Sequence, residues 1–307
     1  MINPTRRSIL KAAGLAPATV AMAQAAAAAV PAVLTFGTPA EHVQAFLKLH
    51  VSLAAETVYH LYVGTLEAMV PGREIVNLVS TTTLIRRQVE VRPEGHHISI
   101  WEGTVYHRPG ESVPLDSFVN PLHGRTVQPF HQREGRGEAL WAPEGPRILR
   151  NGEWVTINRT GKPFALDWSQ AGERIWVSRY SAGVYTNNPL DPVKWPLEFA
   201  GRDLFYSEKT TNSGLVREMG DPKVLNASAT YAMSVGMLWW PWLLMGQQPG
   251  HLVWNTQGAK LSDPDQIPAQ TRALIEKVHP MLLARAAPWE GRISLWTEYP
   301  KLRKPAT

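Results

Sequence analysis

The sequence of 307 residues contains no cysteine. Disulfide bonds, thiolate metal sites and cysteine nucleophiles are therefore excluded. The motifs of several enzyme classes are missing as well: Gly-x-Ser-x-Gly of serine hydrolases, the Walker loop of ATPases, Gly-x-Gly-x-x-Gly of dinucleotide enzymes and His-Glu-x-x-His of zinc peptidases. These absences argue against all four classes, and no motif indicates a cofactor.

Net charge is small once the first residues are set aside. The formal net charge is +5, and Arg6, Arg7 and Lys11 precede the first acidic residue, Glu41. Without those three cations the charge is 5 − 3 = +2. So small a positive charge gives no case for nucleic acid as a partner.

The N-terminus carries a targeting pattern. Thr5-Arg6-Arg7-Ser8-Ile9-Leu10-Lys11 matches the twin-arginine export signal, and an alanine-rich, uncharged run follows it. The pattern predicts a signal peptide over residues 1–30. It also predicts the twin-arginine translocase as a partner during export and a periplasmic or secreted mature protein.

Charge is absent altogether between Val224 and Gly250. From Tyr231 to Trp239 large and small residues alternate, which is the period of a β-strand, and Pro241 interrupts the run. A bilayer helix has neither feature, so no transmembrane span is predicted in the mature chain. The stretch is either plain core or one aromatic wall of a cavity inside a curved sheet.

The remaining chain is predicted to be mostly β. Three alternating segments from Glu56 to His107 are joined by short turns, which indicates an antiparallel meander. We expect one domain over residues 31–307, a barrel-like sheet of calycin or lipocalin type with a few peripheral helices. Residues 108–150 are expected to form a long loop. Helices are predicted from Thr38 to about Leu53 and from Pro268 to His279.

Four residues are candidates for catalysis. Glu102 and His107 lie on the third predicted strand, and His131 lies on the long loop. An imidazole of near-neutral pKa, oriented by a carboxylate, can move a proton on a bound molecule. Arg86, at the end of a strand, can hold a carboxylate or a phenolate.

Aromatic residues are candidates for the pocket wall, because their rings bury apolar ligands and a tyrosine hydroxyl can stabilise an oxyanion. The histidines could converge on a metal only through tertiary folding, so no metal site and no cofactor are predicted. The ligand-binding candidates are Trp101, Tyr106, Tyr180, Tyr231, Trp240 and Trp242.

The chain resembles a known family at several short segments. Trp240-Pro241-Trp242 and Pro288-Trp289-Glu290-Gly291 are the most specific, and the looser ones are Gly64–Pro71, Trp101–Pro109, Asn120–Gly124 and Val127–His131. On these the sequence resembles the bacterial domain-of-unknown-function family 1838, whose members often carry twin-arginine leaders. The resemblance implies one fold over nearly the whole mature chain and implies no reaction.

Three functions remain open. The first is an exported isomerase, lyase or cyclase that transfers protons on a hydrophobic aromatic or isoprenoid molecule without a cofactor. The second is a periplasmic protein that binds such a molecule without reaction. The third is an envelope protein that docks on a partner or a membrane through exposed tryptophans.

Overall fold

The fold is built on one large antiparallel sheet. The computed structural model describes residues 32–150, 152–157, 161–285 and 293–306, and the described residues belong to one compact unit. The predicted export segment lies outside them. The strands are β1 Thr57–Met69, β2 Val76–Arg92, β3 Gly95–His107, β4 Phe118–Val119, β5 Thr126–Val127, β6 Arg133–Ala142, β7 Gly145–Arg150, β8 Glu153–Thr156, β9 Trp168–Ala171, β10 Arg174–Asn187, β11 Asp203–Leu215, β12 Ala229–Met237 and β13 His251–Leu261.

Eleven of these strands form the main sheet. Their order is β8-β7-β6-β3-β2-β1-β13-β12-β11-β10-β9, and β4 pairs with β5 separately. The predicted meander is confirmed as β1, β2 and β3. Among the described strands no closed barrel is found, because no hydrogen bonds join β8 to β9. The mostly-β antiparallel class is confirmed, whereas the calycin-like barrel remains a prediction.

The sheet is strongly curved around its inner face. Pairing slips by one residue between Leu66 and Glu67 and between Ile100 and Trp101, and such bulges increase twist and bend. Strands β1 and β13 also approach closely at Gly258, where an added Cβ would lie 2.2 Å from the carbonyl oxygen of Leu61. Glycine at this position therefore allows the close contact.

Helix α1, Pro39–His50, fills one end of the curved sheet. It begins where the sequence predicted, and the structure adds a complete capping box between Thr38 and Glu41. Phe46, Leu47 and Leu49 are fully buried and belong to a cluster with inner-face residues of several strands. The expectation that the helices are peripheral is therefore wrong for α1.

The other helices are short and pack elsewhere. They are α2 Val216–Gly220, α3 Ala269–Val278 and α4 Leu295–Leu302, with single 3-10 turns at Pro241–Leu243, Pro264–Gln266 and Pro280–Leu283. Helix α3 and the turn after it cover the outer face, where Ile275 and Leu282 pack on Leu84 and Trp101. No described helix combines the length and apolar character needed to cross a bilayer.

The tryptophan-rich stretch fills the opposite end of the inner face from α1. Trp239, Trp240 and Trp242 are 2–5 % exposed and pack with Tyr106 and Trp254. The segment between β3 and β6 packs over this cluster through Leu115 and Val127. We call the cluster of Trp239, Trp240, Trp242, Trp254 and Tyr106 the tryptophan end. The plain-core interpretation therefore describes this stretch.

The predicted loop over residues 108–150 is wrong from Arg133 onward. Strands β6 and β7 occupy Arg133–Ala142 and Gly145–Arg150. The Gly-Arg-Gly and Pro-Glu-Gly sequences in this region lower β-propensity, so local sequence did not predict these strands. The strands form because β6 pairs with β3 and β7 pairs with β6.

Candidate functional site

A partly enclosed cavity of about 250 Å³ lies on the inner face between α1 and the tryptophan end. Both halves of the sheet contribute to it, since Ile98 and Ile100 come from β3 and Thr210 and Asn212 from β11. Side chains of one strand alternate between faces, so residues two apart share this wall. The polar lining comprises His50, Tyr62, Arg87, Glu102, Arg179, Ser181, Glu208, Thr210 and Asn212.

A buried chain of hydrogen bonds supports this lining. Arg87 Nη1 bonds to His60 Nδ1, and His60 Nε2 lies 3.5 Å from the Tyr231 hydroxyl. A guanidinium can only donate, so Nδ1 accepts and a neutral His60 carries its hydrogen on Nε2. Tyr231 then donates to the carbonyl oxygen of His50 at 3.3 Å. The chain ties β2 and β1 to the last residue of α1.

The His60 and Tyr231 rings stack at 4.7 Å. Burial, then the charge of Arg87, holds the pKa of His60 well below its ordinary value. Burial likewise raises the pKa of Tyr231 well above its ordinary value. Both groups are therefore neutral near pH 7, which is what the direction of the hydrogen bonds requires.

His50 is the histidine that lines the cavity. Its Nδ1 lies 3.0 Å from the Oδ1 of the buried Asn212, so Nδ1–H donates and Nε2 is the basic nitrogen. Burial, followed by the charges of Arg87 and Arg179, holds the pKa of His50 well below its ordinary value. Its position one residue after Leu49 at the end of α1 fixes the backbone, and Asn212 fixes the ring.

Arg179 joins the two halves of the sheet through side chains. Its guanidinium carbon lies 4.9 Å from the centroid of Phe46 and 5.6 Å from that of Trp141. Arg179 belongs to β10 and Trp141 to β6, which are not hydrogen-bonded to one another. A cation over aromatic rings is attracted by their negative faces.

Two carboxylates complete the lining. Glu102 is 1 % exposed on β3, and Glu208 on β11 accepts a hydrogen bond of 2.9 Å from the Thr210 hydroxyl. Glu208 also attracts Arg179 electrostatically. The apolar part of the lining includes Ile85, Ile98, Ile100, Trp141 and Met233. The cavity is therefore amphipathic, as small-molecule sites usually are.

A family model matches residues 184–295 of the chain. The family is described as Protein of unknown function (DUF1838). The chain resembles the DUF1838 family. No curated protein matches it.

The DUF1838 match contains β11, β12, β13 and the tryptophan end. Of the polar cavity residues it contains Glu208, Thr210 and Asn212, whereas His50 and Arg87 precede it. Among the segments quoted for the resemblance, Trp240-Pro241-Trp242 and Pro288–Gly291 lie within the match. The segments before residue 184 lie outside it.

Three of the predicted site residues lie at or beside this cavity: Glu102, Tyr180 and Tyr231. Glu102 lines the cavity, and Tyr231 contacts His50, His60 and Tyr62 beside it. Tyr180 stands at the rim, where it is 72 % exposed. The alternation of β3 and β12 already placed Glu102 and Tyr231 on defined faces of their strands.

His131 and Tyr106 lie together at the tryptophan end. The Tyr106 N–H donates to His131 Nδ1 at 3.1 Å, and the two rings stack at 5.7 Å. Burial, then the nearby His279, lowers the pKa of His131 to about 4. Trp240 and Trp242 pack on the other sides of Tyr106, at 5.7 and 5.1 Å. None of these four residues lines the described cavity.

Arg86, Trp101 and His107 lie on the outer face, because each is an odd number of residues from an inner-face residue of its strand. Arg86 lies 4.2 Å over Trp101 and donates to the carbonyl oxygen of Ala284 at 3.0 Å. His107 Nε2 lies 3.1 Å from the Thr82 hydroxyl oxygen. The arrangement predicted for His107 with Glu102 as its orienting partner is therefore wrong: the two face opposite ways.

The histidines considered for a metal are separately bonded. His96 Nε2 lies 3.2 Å from the carbonyl oxygen of Leu53, and His97 Nε2 lies 2.9 Å from Glu138. Within the described ranges no three His, Cys, Asp or Glu side chains are grouped so as to hold a metal ion.

Sequence reasoning missed His50, His60, Arg87, Arg179 and Asn212. His60 and Arg87 fall on the inner-face positions of strands that were predicted correctly, so alternation combined with charge could have indicated them. His50 lacked such a signal, because it belongs to a helix whose position inside the sheet is a tertiary fact.

Proposed function

We propose that the curved sheet acts as a calycin-like container for a small amphipathic molecule, on which the protein transfers a proton without a cofactor. One observation carries the proposal: a neutral His50 with its Nδ1–H fixed by Asn212 lines an amphipathic cavity. The fixed tautomer leaves Nε2 as a general base toward a carbon or hydroxyl acid. In this role His50 replaces the earlier candidates His107 and His131.

Several neighbours suit the same chemistry. Tyr62 and Arg87 on the lining can stabilise a developing oxyanion, as an enolate formed by proton removal would require. Glu102, on the same cavity lining, is a second group able to carry a proton. The reaction class is therefore isomerisation or elimination next to a carbonyl group, as expected for an isomerase or lyase.

The alternative is binding without reaction, which needs the same cavity but no base. Docking through exposed tryptophans lacks support, since Trp239, Trp240 and Trp242 are buried. An exported protein would meet such molecules in the periplasm or outside the cell.

The test begins with native mass spectrometry of the purified chain to identify a retained molecule. Wild-type protein and His50→Gln are then incubated with that molecule in D₂O, with His251→Gln as the control because His251 is exposed. We expect deuterium incorporation with wild type and with the control, and at least a hundredfold slower incorporation with His50→Gln.

A molecule that binds both proteins equally and never exchanges would favour the binding alternative. A chain that retains nothing, and whose melting temperature no aromatic or isoprenoid compound raises, would rule out the container itself.

A further inference from the structure

Two positive charges of the cavity lining act on His50. Arg87 from β2 and Arg179 from β10 line it together with His50, and both lower the pKa of His50 through their charges. Glu208, on the same lining, attracts Arg179, and its Oε1 accepts from Thr210. His50 therefore lies within reach of both positive charges of the lining.

The Arg179 guanidinium lies against two aromatic rings. Its central carbon is 4.9 Å from the centroid of Phe46 and 5.6 Å from that of Trp141, and no hydrogen bond joins the guanidinium to another residue within the described ranges. The N–H donors of a guanidinium point outward from its edge, in the fork that matches a carboxylate. Arg179, placed beside these rings on the cavity lining, can offer this fork to a carboxylate.

The apolar wall lies within the same cavity. Ile85, Ile98, Ile100 and Met233 offer branched or flexible hydrocarbon surface, and Trp141 offers a ring. A molecule with an acidic head and a compact hydrocarbon body can place its head beside Arg179 and its body against these residues. A volume of about 250 Å³ restricts the body to a single ring or a short chain.

We propose that the ligand is a small monocarboxylate with an aromatic or short aliphatic body, whose carboxylate binds the Arg179 guanidinium beside Arg87 and His50. This inference rests on the proposed function and gives its substrate a chemical class. It also places the carboxylate next to the base, so that the carbon acid would be close to the carboxylate carbon.

The test compares two isosteric pairs by isothermal titration at pH 7: trans-cinnamate with trans-cinnamamide, and hexanoate with hexanamide. The amides keep the shape and lose the charge. With wild type we expect each carboxylate to bind at least tenfold more tightly than its amide, because a charge-assisted bidentate bond replaces a neutral one. Arg179→Gln should abolish that preference, and Lys209→Gln, an exposed change on β11, should retain it.

Arg179→Lys covers the case in which Arg179→Gln folds poorly. It keeps the charge but loses the fork, so it should retain only part of the carboxylate preference. Amides that bind as tightly as carboxylates would overturn the acidic class and leave the cavity proposal standing. A carboxylate preference unchanged in a folded Arg179 variant would overturn the assignment to Arg179. Failure of all four compounds to bind would overturn this inference and count against the container.

Discussion

The two ends of the curved sheet differ in how they fill their interior. At the tryptophan end large rings pack on one another, with Trp242 2 % exposed and Trp240 5 % exposed. Toward α1 the same inner face carries His50, Arg87 and Asn212 around a cavity. Rings concentrate in one uncharged segment, whereas the cavity residues are spread over α1 and several strands. The uncharged, tryptophan-rich stretch therefore forms core, whereas the candidate site is built from residues that no local sequence pattern singles out.

The largest expected effect is at the tryptophan end. Trp242→Ala removes a ring that contacts Tyr106, Phe118 and Trp240, so we expect a loss of about 3–5 kcal/mol in the free energy of unfolding. Urea denaturation measures it. Tyr180→Ala, at a rim position 72 % exposed, should change stability by less than about 0.5 kcal/mol. If Trp242→Ala were as mild, this end would be a pocket rather than core.

The second effect is acid sensitivity, which concerns both ends. Three buried histidines have folded pKa values below 6.5. They are His131, with a pKa of about 4, His50 on the cavity lining and His60 beside it. Between pH 6.5 and 4 the unfolded chain therefore binds more protons than the folded chain. The free energy of unfolding falls as pH drops through this window, by roughly 3 kcal/mol for His131 alone.

His131→Gln should flatten part of that slope in urea titrations from pH 7 to 4. His251→Gln should leave it unchanged, because that side chain is exposed. A slope that is the same in both variants would show that the tryptophan end does not contribute to acid sensitivity.

The smallest expected change in stability concerns the buried hydrogen-bond chain beside the cavity. Tyr231→Phe removes the hydroxyl that lies 3.3 Å from the His50 carbonyl oxygen and 3.5 Å from His60 Nε2. Because both contacts are long, we expect a loss of about 1 kcal/mol in the free energy of unfolding. Tyr206→Phe is the matched control, since its hydroxyl bonds to Ser181 at the surface. Equal losses in the two variants would mean that the buried chain adds no stability.

Local sequence predicted the elements with direct signals. Thr38-Pro39-Ala40-Glu41 predicted the start of α1, and alternation from Glu56 to His107 predicted β1, β2 and β3. Alternation puts Glu102 and His107, five positions apart on β3, on opposite faces. Face assignment alone does not say which face is inner, and this is why His107 entered the candidate site.

The rest depended on long-range contacts. Nothing local to Leu49 and His50 shows that α1 enters the curved sheet, because an amphipathic stripe packs equally well outside one. Arg179 and Trp141 are 38 positions apart in sequence, and they meet only because the sheet bends. Pairing over such distances is decided by the whole fold, so no short window could have predicted the cavity.

The main sheet is not closed by backbone hydrogen bonds, and this affects how its interior can change size. Because no backbone hydrogen bonds connect β10 to β6 in the described part of the chain, the gap between these strands is set by side chains such as Arg179 on Trp141. A closed barrel must break backbone hydrogen bonds between strands before its interior can widen. Here the interior can widen through rearrangement of side chains alone. The size of molecule admitted would then be governed by a few side chains at the gap, and new specificities could arise there without rebuilding the fold.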